Sequence, residues 1–483
     1  MSAPLRIQAL VAMGMLLALE AHAAHPDSVA KYRVRMDPNT RRLNVSAQLP
    51  IAGDRLRMDT TRPAGIPELD SLGWAGLIHD LRVVNASGRD VQVARARARG
   101  WTLQRPDSTV LTLEYQIDYG PLERMGWPAP REAAYRDDQS FVVVGRSLFV
   151  TTEATRECQV TFELPDGWSS TTPWRTLDNG RSFTTGTTDE LVENLVVLSR
   201  GSHEVLTAAG LHLHVFAFGH WRAELPQVRD ALGSIARHHV ELMKSGGKKS
   251  YVVVLLPELE RGGESYRSSF ALNTDQPGPS GVPTWTNLVA HEMFHLWNGW
   301  MLRGADYTSS QWFQEGFTEY VANRAIASSG LVDETWFRNK LATHIETSRQ
   351  LTTTLENIGT RKGPPLYSAG ALVALAWDLR IRAATGGKRD LGDFFRELMR
   401  RTDDGSRAYA WADLRASLNS VVPADWEGFY EAHIRGDRPL PVAEVLAEVG
   451  QLVIEGSDGV KVEADPAAAA TAKRRWAEFV SRR

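Results

Sequence analysis

The stretch PTWTNLVAHEMFHLWNGW, Pro283–Trp300, decides how the second half of this chain must fold. Its apolar members Val289, Met293 and Trp297 recur every four residues behind a threonine, so the segment reads as a helix with one buried face. On a helix His291 and His295 stand one turn apart, offset by about 40°, and both imidazoles can reach one tetrahedral ion. Glu292 projects beside them, where a carboxylate can take a proton from an attacking water. A five-residue match of this kind arises by chance in a chain of this length with a probability on the order of a few per cent, so the rest of a metal site has to be found.

A third ligand must come from another element. Downstream, SSQWFQEGFTEYVANRA reads as a second helix capped at Ser309 or Ser310, with Glu315 in its early turns and Glu319 one turn further on much the same face. Nineteen residues separate His295 from Glu315. That is enough chain to leave one helix, turn through NGWMLRGADYTSS and return antiparallel beside it. The residues alone leave Glu315 and Glu319 as rival ligands.

The rest of the chain supplies the frame. From Lys31 to about Leu198, short alternating runs such as YRVRMD, STVLTLEYQIDYG and ECQVTFEL are separated by turn residues, the pattern of a β-rich domain of sandwich or saddle type. The strand LHLHVFAFG, a helix from about Leu225 to Lys244 and the β-branched YVVVLLPEL open the next region, and after Leu331 the pattern is mostly helical. Near the end, Asp465 and Pro466 read as N-cap and first residue of a short helix. The expected fold class is α+β and multidomain: a signal peptide at 1–23, an N-terminal β domain at 24–200, an α/β zinc catalytic domain at 201–330, a helical C-terminal lobe at 331–445 and a tail with a short helix at 446–483. Two other histidine pairs are read as unrelated to metal. His212 and His214 share the solvated face of a strand, and His238 and His239, about 100° apart on a helix, are assigned to the surface.

Composition narrows the partners. The 483 residues carry 55 basic and 58 acidic side chains, a formal net charge of -3, which gives no electrostatic reason to expect nucleic acid or an anionic membrane. Peptides, proteins and small molecules remain. Arg6, an apolar run from Ile7 to Leu19 and Ala21-His22-Ala23 have the order of a secretory signal cut after Ala23. The expected location is therefore the periplasm, with no transmembrane segment in the mature chain. The lone cysteine, Cys158, cannot form an intramolecular disulfide and reads as a small buried hydrophobe.

The runs HEMFHLWNGW, QWFQEGFTEY and LYSAGALVALAWDLRIR, in that order, resemble the glycyl aminopeptidase family of zinc metallopeptidases. The family's Trp-Asn after HExxH is matched at Trp297-Asn298, its W-x-x-E-G-x-T-x-Y motif at Trp312, Glu315, Gly316, Thr318 and Tyr320, and its Tyr-x-Lys-Gly-x-Leu motif at Tyr367, Gly370 and Leu372. The resemblance implies a thermolysin-like catalytic domain holding one zinc ion on His291, His295 and Glu315, with Glu292 as general base, Tyr367 as hydrogen-bond donor to the oxyanion, and Glu319 as an orienting acid or surface residue. It implies a peptidase, with aminopeptidase action on small N-terminal residues as the leading expectation. A zinc endopeptidase or other amide hydrolase, and a non-catalytic zinc-containing peptide-binding protein, are the alternatives.

Three departures from the family pattern bear on this. The family's Gly-Gly-x-Glu-His stretch, whose glutamate binds the substrate amine, is here Gly262-Gly263-Glu264-Ser265-Tyr266. Either the strand shifts so that Glu264 serves, or reading of the free amino terminus is lost, because a one-residue slip reverses the face of each side chain. Ala369 replaces the lysine of the Tyr-x-Lys-Gly motif. The C-terminal PDZ domain that many relatives carry is not expected in the about 40 residues after Pro441.

Overall fold

The computed structural model describes residues 29–37, 42–58, 69, 71–96, 100–104, 106, 108–124, 135–178, 180–245, 250–257, 262–274, 281–360 and 363–480, and the expected signal segment lies outside them. The N-terminal part is β-rich. A seven-stranded sheet runs from Arg175–Thr176 through Ser182–Thr185, Cys158–Glu163, Ala30–Met36, Arg42–Pro50 and Val110–Asp118 to Ile78–Asn85. Its strands alternate as the sequence requires, Ala30–Met36 burying Ala30, Tyr32, Val34 and Met36. In a second, four-stranded sheet, Ser140–Val144 and Leu195–Ser199 pair antiparallel and are buried at every position. Cys158 is buried in the first sheet, and burial pushes its thiol up to about 12, so it behaves as a core residue.

A five-stranded mixed sheet follows, in the order Glu204–Ala208, Leu211–Ala217, Ser250–Pro257, Ser269–Thr274, Gly262–Tyr266. The strand Ser250–Pro257 pairs parallel on both sides and is buried on both faces, which explains its unbroken apolar run. Val252, Val254 and Leu256 pack with the N-terminal sheets, whereas Tyr251, Val253 and Leu255 pack with the helices. The sheet is thus the middle layer between two cores. Gly262–Tyr266 is its edge strand, running antiparallel to Ser269–Thr274.

Helices build the far side, and four of them frame the site. Val282–Phe294 carries the two-histidine motif and starts with Pro283 in its first turn, where the missing N–H costs nothing. Gln311–Ser328 is buried from Gln311 through Asn323, so it is enclosed on all sides. Glu334–Ser348 is capped by Asp333, whose side chain accepts from the Trp336 N–H, and Pro364–Thr385 ends on left-handed Gly386.

The structure corrects three sequence readings. His239 is fully buried, not a surface residue, because it falls on the apolar stripe of Leu225–Met243 with Val228, Ala231, Leu232, Ile235 and Ala236. The last helix is Ala470–Val480, several residues after Pro466. The strand Gly459–Ala464 runs up to Asp465, whose N–H bonds Gly450 O and whose side chain accepts from Ala467 N–H, so a turn stands where the helix start was expected. The region from 446 onward also holds an antiparallel hairpin, Gln451–Gly456 with Gly459–Ala464. His212 is exposed and His214 half-buried, as the strand pattern predicts.

Candidate metal centre

His291 and His295 project from the C-terminal end of Val282–Phe294 toward Gln311–Ser328. The Nε2 atoms of both rings lie 3.4 Å from Glu315 Oε2. Tetrahedral zinc with ligand bonds of about 2.0–2.1 Å has ligand–ligand edges of about 3.3–3.4 Å, so the spacing fits such an ion. The other nitrogen of each ring is occupied: His291 Nδ1 meets Glu319 Oε2 at 3.3 Å, and His295 Nδ1 meets the Asn298 carbonyl at 2.9 Å. Since both acceptors need Nδ1–H, each Nε2 keeps its lone pair for a metal. Burial disfavours charge at His291, whereas the carboxylates of Glu315 and Glu319 around it favour a positive charge at this place. The donor set is therefore electrostatically built around a positive charge. Among the described residues, His291, His295 and Glu315 form the one group of three such side chains whose donor atoms converge within 4.8 Å. Glu319 stands behind His291, not beside Glu315 in that group.

Asn298, Thr318, Gly316, Gly370 and Tyr320 of the sequence motifs fasten the glutamate helix to its two neighbours. Asn298 Nδ2 donates to Phe313 O, Gln314 O and Thr318 Oγ1 at 3.1–3.2 Å, tying the end of the histidine helix to the first turns of the glutamate helix. A Cβ on Gly316 would stand 2.3 Å from Gly370 Cα, so these two glycines allow Gln311–Ser328 and Pro364–Thr385 to touch backbone to backbone. Tyr320 Oη donates to buried Asp378 at 2.6 Å in the same interface.

Glu292 is buried beside the two histidines, and a Cβ on Gly263 would lie 2.5 Å from its Cγ. The edge strand thus approaches the carboxylate closely enough that only glycine fits. Tyr367, half-buried, has its ring centroid 5.8 Å from that of His291. Burial and the carboxylates of Glu315, Glu292 and Glu319 push its phenol above the usual range, which keeps the proton on Oη for donation.

Glu264 lies elsewhere. The register sets Gly263 opposite Leu272 and Ser265 opposite Phe270, on the helix-facing side, while Glu264 stands opposite Ala271, which packs with the N-terminal core. Its carboxylate is 3.6 Å from Arg146, a buried guanidinium held also by Glu193 and stacked over Tyr266. Gly262 shares that face by alternation. The face toward Glu292 carries Gly263 and Ser265.

Several participants escape motif reading. Lys340 Nζ sits 2.9 Å from Glu319 Oε1. His239 meets the Ala290 carbonyl at 2.9 Å, bracing the histidine helix one residue before His291. Spacing on a helix could have flagged both: Lys340 and His344 are one turn apart, and His239 follows Ile235 by four.

The chain has relatives. The model of the M61 glycyl aminopeptidase family matches residues 284–358, and that of the peptidase M61 N-terminal domain matches residues 31–200. No curated protein matches the chain. Among solved structures, an aminopeptidase N family protein from Idiomarina loihiensis is 20% identical with a TM-score of 0.74, over 91% of this chain and 82% of that one. A two-domain M1 zinc metallopeptidase mutant bound to L-arginine is 16% identical with a TM-score of 0.56, over 85% and 94%. The M1 zinc metallopeptidase from Deinococcus radiodurans is 15% identical with a TM-score of 0.53, over 85% and 95%. These three share the fold. With both the β-rich N-terminal region and the histidine-bearing region matched by its models, the chain belongs to the M61 glycyl aminopeptidase family.

Proposed function

We propose that the chain is a zinc-dependent peptidase in which His291, His295 and Glu315 hold one ion and Glu292 is the general base. The observation that carries this reading is the convergence of two Nε2 atoms and one carboxylate oxygen at 3.4 Å, with Glu292 set beside them by Gly263. Zinc, when bound, supplies the Lewis acidity that makes water reactive at neutral pH. The Glu292 carboxylate takes the proton from the attacking water and returns it to the leaving amine. Tyr367 Oη–H donates to the oxygen on which charge develops. The outer side of the edge strand Gly262–Tyr266 has no strand partner among the described residues, and an extended peptide can pair there with its scissile bond carried past Glu292.

Family membership supports removal of small N-terminal residues. A second reading, cleavage within the chain, is favoured by one observation: Glu264 is paired with Arg146 on the face away from Glu292, and Ser265 occupies the near face. Mass-spectrometric mapping of a peptide library, each member present free and N-acetylated, separates the two. Trimming of free peptides alone supports the aminopeptidase, and internal cuts in acetylated ones support the endopeptidase. Glu292→Gln should lower either activity by about 10²–10⁴-fold while one zinc stays bound; full activity in that variant would sink the mechanism.

A further inference from the structure

We propose that Lys340 is a positioning residue for the metal centre, acting through Glu319 to hold His291 with its Nε2 toward the ion. The proposal rests on the reading of His291, His295 and Glu315 as ligands. Lys340 comes from Glu334–Ser348, a helix that supplies no ligand, and its Nζ lies 2.9 Å from Glu319 Oε1. The second oxygen of the same carboxylate meets His291 Nδ1 at 3.3 Å, and His291 Nε2 faces Glu315 at 3.4 Å. A continuous polar line therefore runs from a half-exposed ammonium to the ligand atom.

Glu319 needs that ammonium. Its side chain is 9% exposed, and a carboxylate so far out of water needs a charged or hydrogen-bonding partner at each oxygen to be held in place. His344, 3.7 Å from Glu319 Oε1, does not supply one. Its Nε2 accepts from Asn323 Nδ2 at 2.9 Å and its Nδ1 donates to Ser368 Oγ at 3.0 Å, a pattern that fits only the neutral ring, and burial lowers its pKa to about 4. Ala369 is itself buried in the apolar core and brings no charge. The cation paired with Glu319 is thus Lys340. Without it Glu319 would lose the contact that fixes its Oε1, and the carboxylate could turn away from His291 Nδ1 and leave the ring unheld. Loss of such outer hydrogen-bond partners weakens metal binding by about 10–100-fold.

The test is zinc affinity, read by competition with a chromophoric chelator, on the full chain carrying Lys340→Met, Lys340→Arg, Glu319→Gln, and Lys340→Met with Glu319→Gln together. Lys340→Met should weaken binding at least tenfold and Lys340→Arg within about threefold. The double variant should bind no more weakly than Glu319→Gln, because Lys340 acts only through that carboxylate. Wild-type affinity in Lys340→Met, or losses that add in the double variant, would overturn the proposal. Should Lys340→Met not fold, as judged by circular dichroism of the metal-free protein, Lys340→Gln takes its place in the same cycle. His295→Ala separates the underlying reading: if it binds zinc as tightly as wild type, the ligand assignment itself fails and this inference with it. A large loss in His295→Ala beside an unchanged Lys340→Met overturns only the role of Lys340.

Discussion

Gly263 decides where Glu292 can stand. A methyl group there would sit 2.5 Å from the Glu292 Cγ and 2.6 Å from its Oε1, inside contact distance, so the glutamate must swing away from the attack path. Gly263→Ala is expected to lower kcat at least about tenfold, since small displacements of a reacting group are costly, while metal analysis finds the same zinc content. Reduced zinc in that variant would mean the edge strand supports the ligands instead. At this scale the sequence discloses the proposed reacting groups well, because His291, Glu292 and His295 are placed together by helical spacing inside one short segment. It discloses less about Glu264, whose side-chain direction depends on strand register. The register with the neighbouring strand Ser269–Thr274 and the salt bridge to Arg146 set that direction, and the second comes from 118 residues earlier, beyond the reach of local pattern.

Among the elements, Gln311–Ser328 and Pro364–Thr385 meet backbone to backbone at Gly316 and Gly370. Gly316→Ala puts a methyl against main chain that cannot rotate aside. A loss of about 1–3 kcal/mol is expected, visible as a lower Tm of the metal-free protein, and an unchanged Tm would show that the helices can separate without cost. The Gly residues of the two motifs are legible in the sequence as markers of close approach, but not as partners of one another. The hairpin Gln451–Ala464 carries its own signal in Asp458-Gly459 between alternating residues. Six-residue strands with four and three positions exposed give too short an alternation to separate a docked hairpin from a tail.

Over the whole molecule, the middle sheet joins two cores, and the histidine helix is braced from behind by His239. Burial lowers the His239 pKa to about 4, against 6.5 in the unfolded chain. The folded state thus binds fewer protons than the unfolded state below pH 6.5. Its stabilising contribution is full above that pH and is lost as pH falls toward 4. Between pH 7 and 5 the loss from this residue is about 2 kcal/mol. Urea unfolding of metal-free wild type and His239→Gln at the two pH values should show the variant losing about 2 kcal/mol less. Equal losses would mean that His239 is protonated in the folded protein. The β-rich first part and the strand Ser250–Pro257 are legible from alternation and from a continuous apolar run; the burial of His239 is masked by the polarity of histidine, although its place on the apolar stripe of Leu225–Met243 carries the signal.

The glycine crossing has one more consequence. Glu315 and Glu319 ride on one helix and Tyr367 on the other, and with the two backbones in contact they form a fixed jaw of a vice. Accommodation of substrates of different girth then falls to the opposite jaw, the edge strand, and to the Arg146 cluster through which it leans on the N-terminal domain.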